Sequence, residues 1–207
     1  MSTLGKEVLQ RALMRNAFLW RMPRGSDCAL TFDDGPNVTY TPQVLELLGR
    51  HRIKASFFLV GESALRAPEL VRLIVEEGHA VASHTYSHQE FPTLSAAALR
   101  RELDDCRDLL RQVTGIDTNL VRPPRGRVDA ASLLRMSRWG YRLVHWSKTY
   151  SDYRQDGTAA LLERIRAVGL QPRDIALLHD NNAHTVEALG DVLPEWCARG
   201  RTFVKLQ

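Results

Sequence analysis

Two adjacent carboxylates, Asp33 and Asp34, close an apolar run, Leu30-Thr31-Phe32, and are followed at once by Gly35-Pro36. The run reads as a buried strand and the Gly-Pro pair as the turn that ends it. Neighbouring residues at a strand end point in different directions, so one carboxylate can hold a metal while the other moves a proton. Asp, Gly and Pro are also ordinary turn residues, and the meaning of the motif therefore rests on its partners. His84 and His88 supply them, as a His-x-x-x-His pair after another apolar run, Ala80-Val81-Ala82. Two imidazoles with one carboxylate suit zinc and its first-row neighbours, and leave coordination positions for water and substrate. That is the donor set of a hydrolytic site.

Two more motifs follow in the chain, Arg122-Pro123-Pro124-Arg125-Gly126 and Leu177-Leu178-His179. Taken in order, these motifs resemble the polysaccharide deacetylases of the NodB-homology type, carbohydrate esterase family 4, from about Cys28 to the C-terminus. The resemblance implies a distorted (β/α)7 barrel and gives each residue a role. Asp34, His84 and His88 would be the metal ligands, with zinc favoured by ligand type and cobalt or nickel also allowed. Asp33 would be the general base, with Arg122 beside it. The backbone N–H of Arg125, after Pro124, would face the developing oxyanion. His179 would be the general acid, oriented by Asp152.

Two departures from the family pattern stand out. The side chain at Arg125 is usually aromatic and here is cationic, with Arg127 close behind, which would suit an acceptor bearing phosphate or carboxylate. Where the family has Asp-Trp, this chain has Asp152-Tyr153. Trp146 and Tyr150 could stack on a sugar or form an apolar wall. His51, His79 and His145 read as surface or packing residues, and His184 receives no role.

The implied reaction removes an N-acetyl group from an amino sugar in a polysaccharide, oligosaccharide or glycan precursor. The alternatives are a formyl group or acetyl ester, including one on a lipid-linked or anionic sugar, and a carbohydrate-binding protein without turnover.

The elements that must position these groups alternate with little slack. Strands are predicted at 28–32, 54–60, 79–83, 120–122, 141–146, 175–178 and 202–206, and helices at 41–51, 68–77, 95–114, 129–139, 158–168 and 184–199. Such alternation predicts a parallel sheet. Asp33-Asp34, His84, Arg122 and His179 each follow a predicted strand end, and Asp152 lies just past another. In a βα barrel that rim gathers the catalytic groups.

At 207 residues and 44% hydrophobic content, the chain suits one catalytic domain, 27–207, preceded by a segment, 1–26. Residues 8–20 can be written as a basic amphipathic helix that could rest on an anionic membrane surface or pack on the domain. Charged residues interrupt every apolar run before Arg24, so neither a signal peptide nor a membrane span is predicted. Three widely spaced cysteines, Cys28, Cys106 and Cys197, argue against a disulfide framework. Together these point to the cytoplasm or the inner face of its membrane. The net charge of +4 comes from interspersed residues, with no basic block of the kind that tracks nucleic acid. No heptad indicates an oligomeric state.

Overall fold

The computed structural model describes residues 17–154 and 156–207. Among them eight strands form one sheet: β1 (Phe18–Leu19), β2 (Ala29–Asp33), β3 (Ser56–Leu59), β4 (Ala80–Ser83), β5 (Leu120–Val121), β6 (Arg142–Val144), β7 (Lys148–Thr149) and β8 (Ile175–His179). Their order is β1-β6-β5-β4-β3-β2-β8-β7, and every pair is parallel. Only His145–Ser147 separate β6 from β7, so one extended segment reaches both ends of the sheet and curls it. His145 N–H bonds Leu19 O at 2.6 Å, and Ser147 N–H bonds Ile175 O at 3.0 Å. An antiparallel bridge between Arg21 and Asp174 ties the rim further. This is the expected distorted barrel.

Strand alternation decides what lies inside it. Leu30, Phe32, Phe57, Leu59, Val81, Ala176 and Leu178 face outward and join the helices in the largest core cluster. Ala29, Phe58, Ala82, Leu120, Val144 and Ile175 face inward and form a smaller one, plugged by Leu206. The same inward rows continue upward into Thr31 and Asp33, Arg122, Leu177 and His179. Small inner residues, Ala29, Ser56 and Ala82, leave volume for Phe58 and the long Arg122 side chain above them.

Among the described residues seven helices cover the outside: α1 (Thr41–Arg50), α2 (Gly61–Arg66), α3 (Pro68–Glu76), α4 (Ala96–Thr114), α5 (Ala130–Arg138), α6 (Thr158–Val168) and α7 (Ala183–Ala198). Ser95 caps α4 by accepting from Ala98 N–H, and Gly115, at φ 74°, ends it. Asp129 caps α5 and Asn182 caps α7 in the same way. Thr41 is not a cap. It is the first helical residue, and its hydroxyl accepts from Asn37 N–H and donates to Asp180.

Several expectations change. The short helix α2 was not expected, nor were the two-residue strands β1 and β7, which are too short to carry a periodic signal. The segment 202–206 makes only a bridge between Cys28 and Phe203 and is not a strand. Of the expected helix 8–20, residues up to 16 lie outside the described residues. Beyond them Phe18–Leu19 is a strand, because Phe18, Leu19 and Trp20 are buried in the barrel wall.

Candidate active site

Sheet register builds the site. Asp33 stands opposite His179 on β8 and Phe58 on β3, while Ser83 pairs with Val121 just below His84 and Arg122. These groups therefore meet in one tier at the C-terminal rim. Asp33, His84 and His179 line a cavity of about 550 Å³ with Asp34, His88, Arg125, Trp146, Thr149, Tyr153 and Leu177.

Arg122 is the floor of this tier. It is fully buried, with its guanidinium 4.0 Å from the centroid of the Phe58 ring. One amino group, Nη1, bonds Asp33 Oδ1 at 2.6 Å and Thr31 Oγ1 at 2.8 Å, while Nε and Nη2 reach the carbonyls of Val144 and His145. Burial pulls the Arg122 pKa down and the Asp33 charge opposes it. With Oδ1 engaged, Asp33 Oδ2 turns toward His84, 3.8 Å from its Nε2.

Asp34 follows in the left-handed conformation, φ 74°, which directs it away from Asp33. Its Oδ1 lies 3.5 Å from His84 Nε2 and 3.2 Å from His88 Nε2. The three donor atoms are all within 4.8 Å of one another. His84 Nδ1 lies 2.8 Å from the Arg122 carbonyl, which can only accept, so Nδ1 carries a proton and Nε2 presents a lone pair. Burial by itself would raise the Asp34 carboxyl, but its contacts with the His84 and His88 rings outweigh burial and hold the group well below the usual carboxylate range. The cluster thus favours a positive charge in its midst. By number, type and convergence of donors, Asp34, His84 and His88 fit a divalent metal.

Opposite stands the pair His179 and Asp152. His179 Nδ1 bonds Asp152 Oδ1 at 2.9 Å, and Asp152 Oδ2 accepts from His179 N–H and from Thr185 Oγ1. Burial would lower the His179 pKa, yet the Asp152 bond and charge, with Asp33 and Asp34, raise it to about 9. A proton is therefore stored on the side facing the carboxylates.

Gly35 is fixed by close approach. A Cβ there would come 2.5 Å from the Asp180 carboxylate, which is fully buried against this turn. Asn181 Nδ2 donates to Asp34 Oδ2 at 3.3 Å. Residues 180–181 thus join the loop of His179 to the loop of Asp34. Pattern reading missed this clamp, and also Thr185, because neither carries a motif.

The outer wall differs from expectation in two places. Tyr150 is buried in the core and cannot meet a sugar, whereas Tyr153 is 62% exposed and stands edge-on to His179. Arg125, on the turn Pro124–Gly126 with φ 55°, and Arg127 are both paired to Glu90, at 2.8 and 2.7 Å. Glu90 was not singled out in the sequence. Hydrogen bonding from Arg127, with the charges of both arginines, holds its carboxyl below the ordinary value. Gly126, at φ 66°, lets the Trp146 ring lie where a Cβ would stand at 2.5 Å.

Trp146 lines the cavity and stacks on His145, whose ring centroid is 3.9 Å away. His79 packs in the core, where burial, with Lys54 and Lys205, pushes it down to about 4, and its Nδ1 accepts from Ala55 N–H. His184 faces Thr158, and His51 caps α1.

A parallel barrel with a two-histidine, one-carboxylate cluster between a buried carboxylate and a carboxylate-held imidazole has the layout of a metal-assisted hydrolase. The polysaccharide deacetylase family model matches residues 21–144, and the chain belongs to that family. A peptidoglycan-N-acetylglucosamine deacetylase of Bacillus cereus is 34% identical over 89% of both chains. Peptidoglycan-N-acetylmuramic acid deacetylase PdaA of Bacillus subtilis is 31% identical, covering 96% of this chain and 77% of its own. The crystal structure of the Bc1960 peptidoglycan N-acetylglucosamine deacetylase superposes with a TM-score of 0.87 at 29% identity, covering 94% of this chain and 92% of that one. The chain is a polysaccharide deacetylase, an enzyme that hydrolyses N-acetyl amide bonds.

Proposed function

We propose that this chain removes acetyl groups from N-acetylated amino sugars of a glycan strand, with Asp33 as base and His179 as acid. The observation that carries the reading is the single tier in which Asp33 and His179 stand opposite one another at the barrel rim, with the Asp34, His84 and His88 cluster beside them. When bound by those three residues, zinc would lower the pKa of a water and polarise the amide carbonyl. Arg122 fixes Asp33 Oδ1, so that Oδ2 takes the proton of the attacking water. The Arg125 N–H, presented by its left-handed turn, supports the oxyanion. The raised His179 proton passes to the departing nitrogen, which leaves poorly as an anion. Tyr153 and Trp146 flank the cavity and hold the sugar.

The test is acetate release from N-acetylglucosamine oligomers and from N-acetylated wall glycan, by protein stripped of metal and then given zinc. Acetate restored by zinc supports the reading. Formate from a formylated analogue without acetate from any substrate would replace it with a deformylase. Glycan binding with neither acid released would leave a binding protein.

A further inference from the structure

The two histidines of the metal cluster are held unequally. His84 has a second anchor, because its Nδ1 lies 2.8 Å from the Arg122 carbonyl. A ring that ligates a metal through one nitrogen is ordinarily fixed by a partner on the other. Among the described residues none offers a hydrogen bond to His88 Nδ1. Its Nε2 faces Asp34 Oδ1 at 3.2 Å, and its side chain is 36% exposed. His88 also has a left-handed backbone, φ 58°, which an L residue keeps only where its surroundings impose it. The direction of this ring therefore comes from the chain on either side of it.

After His88 the chain is held by Glu90 through two exposed arginines, pairings that water weakens. Before His88 the grip is firmer. Thr85 O and Tyr86 O accept from Gly61 N–H and Glu62 N–H, at the start of α2, at 3.0 and 2.9 Å. Ser87 comes next, and Glu102 of α4 takes both of its donors: Oε2 accepts from Ser87 N–H at 2.8 Å and Oε1 from Ser87 Oγ at 2.7 Å. A helix glutamate commonly pairs with a cation a turn away. Here Arg100 pairs with Asp104 instead, and both oxygens of Glu102 go to one serine. One turn further, Cys106 Sγ meets the Leu59 carbonyl that also receives His84 N–H. One face of α4 thus supports the His84–His88 loop at both ends, and Leu99, Leu103 and Leu110 anchor that helix in the core.

We infer that Glu102 is a positioning residue of the metal site: by gripping Ser87 it sets the direction of His88, and through His88 the affinity of the site for its metal. The inference deepens the deacetylase reading and rests on it for the role of the cluster. Asp34 stands at a strand end and His84 is locked by the Arg122 carbonyl, so His88 is the ligand left for a helix to place. Without the carboxylate, Ser87 N–H loses its acceptor, and the His88 backbone relaxes from its left-handed conformation and carries Nε2 away from Asp34.

The experiment measures the zinc affinity of the metal-free full chain by competition with a chromogenic chelator, and needs no substrate. Glu102→Ala should bind zinc about tenfold more weakly than the wild type, the lower end of what the outer partners of a metal ligand contribute. Glu102→Gln should stay close to the wild type, because its amide oxygen can accept from Ser87 N–H while its NH2 group donates to Ser87 Oγ. Ser87→Ala keeps one of the two bonds and should fall between. Arg107→Ala, which breaks an ion pair with Asp117 beyond the end of the same helix, should leave zinc affinity unchanged. With zinc saturating, Glu102→Ala should lower kcat and leave KM for the glycan as it was, since Glu102 does not line the cavity. Wild-type zinc affinity in Glu102→Ala overturns the inference, as does an equal weakening in Arg107→Ala, which would mark a general loosening of α4. If Glu102→Ala does not fold, Ser87→Ala decides, and an affinity equal to the wild type there overturns it. Weaker zinc binding in Glu102→Ala, with no acetate released from any glycan by the wild type, would uphold this inference and sink the deacetylase reading.

Discussion

Arg122 and Arg125 stand three residues apart, and each gives a guanidinium to a carboxylate at under 3 Å. Arg122 is fully buried on the floor of the cavity, touching Asp33, Thr31, two carbonyls and the face of Phe58. Arg125 is 73% exposed on the wall and meets Glu90 from a turn. On the floor each guanidinium nitrogen has a partner and the pair is shielded from water, so its geometry is fixed and its loss leaves an uncompensated charge. On the wall the same pairing is screened and exchangeable. The floor pair is held rigidly and the wall pair is open to exchange.

The largest effect should follow from Asp33→Asn. Turnover should fall by about 10²–10⁴, the range for losing a positioned base, while metal content measured by atomic absorption stays at the wild-type level because Asp34, His84 and His88 are intact. A variant with near-normal acetate release would remove Asp33 from the chemistry and with it the distinction between floor and wall.

Next comes Arg122→Met, which leaves Asp33 buried and unpaired. Denaturant unfolding of the metal-free protein should show a loss of about 3–5 kcal/mol. Should the loss instead match that of a surface substitution, the floor is not the rigid element described.

Asp152→Asn sharpens the contrast through pH. In the folded chain His179 holds its proton up to about 9, above the ordinary 6.5. Its charged pairing with Asp152 therefore stabilises the fold fully below pH 6.5, and the contribution disappears as the pH rises through about 9. In Asp152→Asn the alkaline limb of kcat/KM should move to lower pH, and the melting temperature of the metal-free protein should lose its decline between pH 6.5 and 9. An unmoved limb would assign the acid to another group.

A smaller change is expected from Asn181→Ala. Residues that hydrogen-bond a metal ligand typically contribute about tenfold or more in affinity, so zinc should bind about tenfold more weakly, as read by competition with a chelator. The smallest change is the stability of Arg127→Ala, which should unfold close to the wild type. If it were as damaging as Arg122→Met, wall and floor would be one structure.

Much of the site was legible before any coordinates because βα alternation places strand ends on one rim. Asp33, Asp34, His84, Arg122 and His179 could be assigned to that rim from their position after apolar runs. Tyr150 could not be separated from Tyr153 in this way, since both follow the same strand and burial depends on how β7 meets β8. Glu90 left no mark in the pattern. It is one acid among many, and its meaning comes from the two arginines more than thirty residues away.

By itself the sequence determined the ligand types, the barrel class and the end of the barrel where chemistry occurs, because these follow from local periodicity and from the donor atoms that side chains carry. Tertiary structure alone decided the register that sets Asp33 against His179, the burial that gives Arg122 its place, and the pairing of Glu90 with the arginine wall. Those depend on which strands become neighbours and how loops pack across the rim, and contacts between residues far apart in the chain leave no period in it.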